Sequence, residues 1–139
     1  MKGDVTINGK DAYTEWGINL EDGALSALMT PPPMKDYIES SSRLKHGTRI
    51  LPENARCDAR EITLPFHIIA PDRAAFFENY KKFCNDVLLK GVMEITTKYD
   101  KNVCYRLVYL SCTQFTQYVR EMAIFSLKVK EPNPTNRAL

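Results

Sequence analysis

The sequence predicts an α+β fold, mainly β, with one amphipathic helix resting on a sheet face. Two observations carry that prediction. A period-two stretch at 60–70 runs directly into a period-3.6 stretch at 71–89, and a lone aromatic-rich helix needs a sheet to lie on. Three further extended runs, 91–99, 103–112 and 120–130, then follow with short breaks between them.

Taken in order, Val5-Thr6-Ile7 reads as a strand, Asn8-Gly9 as a tight turn, and Lys10-Asp11-Ala12 as a second extended piece, because Asn-Gly supplies the positive φ angles of a two-residue hairpin. Tyr13, Trp16, Ile18 and Leu20 add apolar surface around a bend at Gly17, and 25–29 is a short apolar segment compatible with strand or helix. Thr30-Pro31-Pro32-Pro33 forces an extended, unpaired passage, since proline lacks a donor and holds φ near −65°. Residues 34–58 contain no regular period. They hold Leu44, Ile50 and Leu51 around a central His46-Gly47, which predicts a protruding hairpin with the glycine at its tip and legs at 43–46 and 48–51. So long a connection is usually functional or disordered, and its apolar residues argue against disorder.

In 60–70, Ile62, Leu64, Phe66 and Ile68 alternate with Thr63, Pro65 and His67, which marks a strand with one buried face and, at Pro65, an edge or a bulge. Pro71-Asp72 suits a helix start and Lys90-Gly91 a helix end. Between them, Phe76, Phe77, Tyr80, Phe83, Cys84, Val87 and Leu88 form the apolar stripe. Glu78 stands one turn before Lys82, the favourable order for an ion pair. In 91–99, Met93, Ile95, Thr97 and Tyr99 share a face, and Asp100-Lys101-Asn102 is expected to turn the chain. The next run is apolar on both faces, as in a strand covered on both sides. In the last, Ala123, Phe125, Leu127 and Val129 point inward and Lys128 and Lys130 outward, until Glu131-Pro132-Asn133-Pro134 stops it. The expected core is therefore Ile62, Leu64, Phe66, Phe76, Phe77, Tyr80, Phe83, Val87, Leu107, Phe125 and Leu127.

At 139 residues, 44% hydrophobic and 26% charged, the chain fits one globular domain over 1–139. No apolar run approaches a membrane span, and the opening MKGDVTINGK lacks a signal-peptide core, so synthesis in the cytoplasm is expected. The four cysteines, Cys57, Cys84, Cys104 and Cys112, have no C-x-x-C spacing and are read as reduced thiols. A net charge of +2 identifies no partner.

Candidate chemistry is sparse. His46, His67 and Cys57 match no zinc spacing, and His67 reads as the solvent side of its strand. Cys84 lies on the helix stripe, as a core cysteine does. No G-x-S-x-G elbow, G-x-G-x-x-G or phosphate loop is present, and Glu61, Glu94 and Glu121 sit where strand faces meet solvent. No enzyme, cofactor or metal is expected. The basic group Arg43, Lys45, His46 and Arg49 lacks interleaved aromatics, so a solvated hairpin or a protein contact is expected over specific nucleic-acid binding.

Three motifs, in their order, carry a resemblance. They are Ile7-Asn8-Gly9-Lys10-Asp11-Ala12-Tyr13 with Trp16-Gly17; Arg43-Leu44-Lys45-His46-Gly47-Thr48-Arg49 ahead of the strand from Arg60 and its helix; and the closing Phe125-Ser126-Leu127-Lys128-Val129-Lys130-Glu131-Pro132-Asn133-Pro134. Over nearly the whole chain this layout resembles the N-terminal belt domain of siphophage distal tail proteins and is similar to related tail-tube and tail-hub domains. The resemblance implies two packed antiparallel sheets, a sandwich or partial barrel, flanked by one helix. It implies a structural role in a phage or prophage tail, as a ring, expected to be a hexamer, at the junction of tail tube and tail tip. The implied partners are further copies of the chain and other tail proteins (tail tube, tail-tip hub, tape measure), with no membrane, and the implied location is the virion tail. A long loop reaching a neighbouring subunit would correspond to 34–58, which makes Arg43, Leu44, Lys45, His46, Gly47, Arg49, Ile50 and Leu51 the expected subunit interface. Distal-tail, tube and tail-completion roles stay open. A different reading is a small bacterial binding module whose basic hairpin, 43–51, grips nucleic acid or an acidic partner.

Overall fold

The computed structural model describes residues 3–36, 38–41, 46–51, 55–119 and 121–139, with the backbone alone at 38–41, 48–51 and 118–119. The chain opens with β1 (Val5–Ile7) and β2 (Lys10–Asp11). Asn8 and Gly9 between them both take positive φ, 53° and 81°, as the Asn-Gly pair predicts. The second extended piece is shorter than expected. Asp11 caps a helix instead, its carboxylate accepting from Thr14 N at 2.9 Å, and α1 (Ala12–Trp16) carries Trp16 into the core. Gly17 ends α1 at φ 69° and leads into β3 (Ile18–Leu20). A Cβ at Gly17 would stand 2.2 Å from the Ile69 carbonyl oxygen, so this bend requires glycine for space as well as for φ.

The apolar segment after it is helical, α2 (Ala24–Met29). A small hairpin follows, β4 (Ile38–Ser41) with β5 (Thr48–Leu51). Then come β6 (Arg60–Ile69), α3 (Arg73–Asp86), a 3-10 turn at Leu88–Lys90, β7 (Val92–Thr97), β8 (Asp100–Val119) and β9 (Met122–Glu131). Asp72 is the N-cap of α3, accepting from Ala75 N at 2.8 Å. The helix is thus shorter at both ends than 71–89, because the cap falls on Asp72 and the last turn tightens to 3-10.

Seven strands form one antiparallel sheet in the order β2-β1-β7-β8-β9-β6-β3. This corrects the expected pair of packed sheets: among the described residues the other sheet is the two-stranded β4-β5 hairpin. The large sheet is instead curled. Its edges, β2-β1 and β3, are joined through the five-residue α1, and Asn19 Nδ2 on β3 donates to Asp4 Oδ2 beside β1 at 3.1 Å. Helices α1 and α3 fill the concave side in place of a second sheet.

Ile62, Leu64, Phe66 and Ile68 on β6, Met93 and Ile95 on β7, Leu107 on β8, and Ala123, Phe125, Leu127 and Val129 on β9 share one buried cluster with Val5, Ile7, Trp16, Ile18, Phe76, Phe83 and Val87. Its spine is aromatic. Trp16 meets Phe83 edge-on at 5.7 Å, Phe83 lies 6.0 Å from Phe125, and Phe125 stacks on Phe66 at 5.7 Å. The helix stripe divides in two: Phe76, Phe83 and Val87 are buried, whereas Phe77, expected in the core, is 42% exposed and Tyr80 only half-buried. Successive helical side chains stand about 100° apart, so Phe76 and Phe77 cannot both face the sheet. Lys82 also departs from expectation, reaching Glu15 on α1 at 3.2 Å.

Pro65 sits within a ladder to β9 that runs without a break from Arg60 to Ile69. Its carbonyl accepts from Glu21 N at 3.0 Å, just past the end of β3. Amide and carbonyl of one strand residue point the same way, so the missing donor faces the β3 side, where β6 is locally an edge. Strand β8 is longer than the expected 103–112, and the turn before it is Lys98-Tyr99, closed by the Thr97–Asp100 pair. Tyr99 is therefore exposed, not inward. Beyond Val108, β8 passes β7 and pairs with β9 alone, through three irregularities in register.

Candidate assembly arm

The segment singled out for assembly leaves the body at the end of α2 and returns at the start of β6. Thr30 closes α2 with ψ 128°, the extended conformation imposed on a residue ahead of proline. After the prolines the outgoing leg meets the returning one. Met34 bridges Cys57, Lys35 N donates to Arg56 O at 2.9 Å, and Asp58 N donates to Pro33 O at 2.8 Å. Farther out, β4 and β5 pair antiparallel from Ile38–Leu51 to Ser41–Thr48. The segment is thus a two-legged ribbon with backbone bonds at its root and along its hairpin.

The expected hairpin exists with a different first leg. Strand β5 agrees with 48–51, but its described partner is Ile38–Ser41, and of the expected leg 43–46 only His46 is among the described residues. From the Pro33–Asp58 pair the outgoing leg takes five residues to Ile38 and the returning leg seven to Leu51, so the hairpin register is offset by two from that of the root. His46 and Gly47 are exposed, and Gly47 takes φ 75°. Arg49, Ile50 and Leu51 face Ser40, Glu39 and Ile38 across the ladder. Arg43, Leu44 and Lys45 lie outside the described residues.

Beneath the root lies a buried charge cluster. Arg60, first residue of β6, pairs in register with Glu131, last residue of β9, and Arg60 Nε donates to Glu131 Oε1 at 2.5 Å. Arg60 Nη1 donates to Thr30 O at 2.6 Å and to Ala27 O at 3.3 Å, the carbonyls that end α2. Arg137 donates to the same carboxylate through Nε at 2.9 Å and Nη2 at 2.8 Å. The Tyr105 ring lies 5.8 Å from the Arg60 guanidinium carbon and 5.0 Å from that of Arg137, within cation–π range. Burial alone pushes the Glu131 carboxyl up, but hydrogen bonds from Arg137 and Arg60 outweigh it and hold the group below the usual glutamate range.

Sequence reading missed this cluster. The signal was parity: Arg60 precedes Ile62 by two, and Glu131 follows Val129 by two, so two opposite charges occupy core-facing positions at the ends of their strands. An open cleft of about 530 Å³ adjoins the root, lined by Lys35, Arg56, Cys57, Asp58 and Ala59 from the arm and Pro132, Asn133 and Thr135 from the tail.

The other candidate groups are apart. His46 lies in the arm connection and Cys57 at the root. His67 stands in mid-β6 with Nδ1 3.0 Å from Glu21 Oε2. Among the described residues no three His, Cys, Asp or Glu side chains gather as a metal set, and no helix is long and apolar enough to cross a membrane. Cys84 is half-buried on α3, where it shares an apolar groove of about 160 Å³ with Tyr80, Leu88, Tyr109, Cys112 and Phe115.

No family model matches this chain, and no curated protein matches it. Among solved structures, the fold is that of phage SPP1 Dit (gp 19.1), a protein described as a paradigm of the hub adsorption apparatus in phages infecting Gram-positive bacteria. The TM-score is 0.66 at 10% sequence identity, over 94% of this chain and 50% of that one. The present chain thus spans about half the length of that protein.

Proposed function

We propose that the chain is a structural component of a phage or prophage tail, assembling with copies of itself into a ring, a hexamer, between tail tube and tail tip. The arm is its main subunit contact, with Arg43 and Arg49 as polar rim groups. It acts without a catalytic step, in the virion tail after assembly in the bacterial cytoplasm. Tail-tube, tip-hub and tape-measure proteins are the neighbours such a ring would touch. The observation that carries this reading is the fold shared with SPP1 Dit over 94% of the chain, together with an arm built as a ribbon away from the main sheet. Such a ribbon presents strand edges and apolar residues that a neighbouring subunit can cover, and a head-to-tail contact that closes on itself makes a ring.

Light scattering across a concentration series tests the proposal. The parent is expected at a ring mass. Deleting Lys35–Asn54, with a short Gly/Ser bridge, is expected to leave a folded monomer. A deletion variant with the parent's mass would show that the arm is not the assembly element. A parent that stays monomeric and binds duplex DNA would favour the nucleic-acid reading.

A further inference from the structure

We propose that Arg60 is the positioning residue of the arm: through Glu131 it sets the angle at which the arm leaves the sheet. Its consequence for assembly rests on the function proposed above; the fixed root does not. Arg60 stands two residues after Asp58, where the returning leg makes its last bond to the outgoing one. Its guanidinium reaches across to Thr30 O and Ala27 O, where the outgoing leg begins. One side chain therefore ties both legs to each other. Glu131 ties that side chain to the end of β9, and Arg137 holds Glu131 from the far side.

Three consecutive prolines follow Thr30. With φ restricted at each, an orientation imposed on the Thr30 carbonyl is carried stiffly to Met34, where the legs pair. A flexible linker at 31–33 would lose that direction within a few residues.

Stability is a poor account of the cluster. A buried ion pair is often no more stabilising than apolar residues of the same volume, and Arg60 Nη2 is buried without a hydrogen-bond partner among the described residues. An apolar pair cannot provide directed bonds from one planar group to a carboxylate and two backbone carbonyls. Those bonds act as a bracket between α2, β6 and β9.

Amide hydrogen exchange on the full chain tests this, read where parent and variant have equal mass by light scattering. In the parent, the amides of Lys35 and Asp58 should be protected about a hundredfold or more over unstructured ones. Arg60→Lys keeps the charge beside Glu131 but cannot span the carboxylate and the α2 carbonyls together. It should speed exchange at Lys35 and Asp58 about tenfold or more, leaving Phe66 and Phe125 unchanged. The variant's oligomer should also dissociate at higher concentration than the parent's. Unprotected root amides in the parent overturn the proposal, whatever the variant does. So does a folded Arg60→Lys with parent-like exchange at both amides. If the root loosens as expected while arm deletion leaves assembly intact, positioning stands and the assembly role falls.

Discussion

Asn19 and Asp4 join the two edges of one sheet. Asn19 lies on β3, at one end of the strand order, and Asp4 immediately precedes β1, beside the other end. Their hydrogen bond at 3.1 Å is a contact that a flat sheet of seven strands would not allow. Asp4 also takes an ion pair from Lys98 at 2.9 Å. The Lys98 bond first, then that of Asn19, lowers the Asp4 carboxyl below its usual range. Asn19→Ala should therefore move the Asp4 titration upward, while Lys98 keeps it below an unperturbed aspartate. Carbon-detected NMR reads this directly, and an unmoved Asp4 would mean that the edges are held elsewhere.

Gly17→Ala should destabilise the chain by about 2 kcal/mol or more, since it combines a positive φ with a clash on backbone. The Ile69 oxygen lies 2.2 Å from the added Cβ, and Ile69 N is bonded to Gly17 O at 2.9 Å, so neither strand can withdraw freely. Urea unfolding measures it; a loss under ~0.5 kcal/mol, the scale of an ordinary surface change, would contradict the geometry.

The two halves of the helix stripe should respond differently. Phe83 is fully buried between Trp16 and Phe125, and Phe83→Ala should cost about 3–5 kcal/mol, leaving little folded protein. Phe77→Ala, at a 42% exposed position, should cost roughly 1 kcal/mol or less. Equal effects in thermal melts would mean that the helix is rotated.

Acid should loosen the arm root late. Glu131 has a lowered carboxyl pKa in the folded chain, so it binds a proton less readily than in the unfolded one. Its contribution to stability is present above the ordinary glutamate value and lost as pH falls through the lower folded one. Protection of the Lys35 and Asp58 amides, taken relative to the intrinsic exchange rate at each pH, should thus hold steady through mildly acid pH and fall only below the usual glutamate range. Loss of protection already near neutral pH would mean that Glu131 is not the group that holds the root.

Duplex DNA should not bind with strong salt dependence at micromolar protein. The net charge is +2, and the lysines on the β9 face alternate with apolar residues, with Glu61 3.4 Å from Lys128. A steep fall of affinity between low and moderate salt, the signature of released counterions, would favour the alternative reading.

What the sequence determined by itself is whatever follows from neighbours along the chain. Period two in Ile62–Ile68 and in Ala123–Val129 comes from the alternation of Cβ atoms on a pleat, and both strands bury those residues. The Asn8-Gly9 turn, the bend at Gly17 and a helix start at Pro71-Asp72 are equally local, because each needs only a permitted φ or a short acidic side chain near free amides. The hairpin strand Thr48–Leu51 was legible for the same reason, though its partner strand was misplaced, since neighbours along the chain do not fix which segment pairs with it.

The tertiary structure alone decided what depends on distance between remote residues. One curled sheet stands where two stacked ones were expected, its edge strands brought together through α1 and the Asp4–Asn19 bond. Phe76 went inward and Phe77 outward because the sheet covers only one face of α3. Arg60 and Glu131, 71 residues apart, became a buried bracket only once β6 and β9 aligned in register. A charge at a core-facing position is unfavourable until a partner of opposite sign arrives beside it, and in this chain the pairing of two long strands brings that partner.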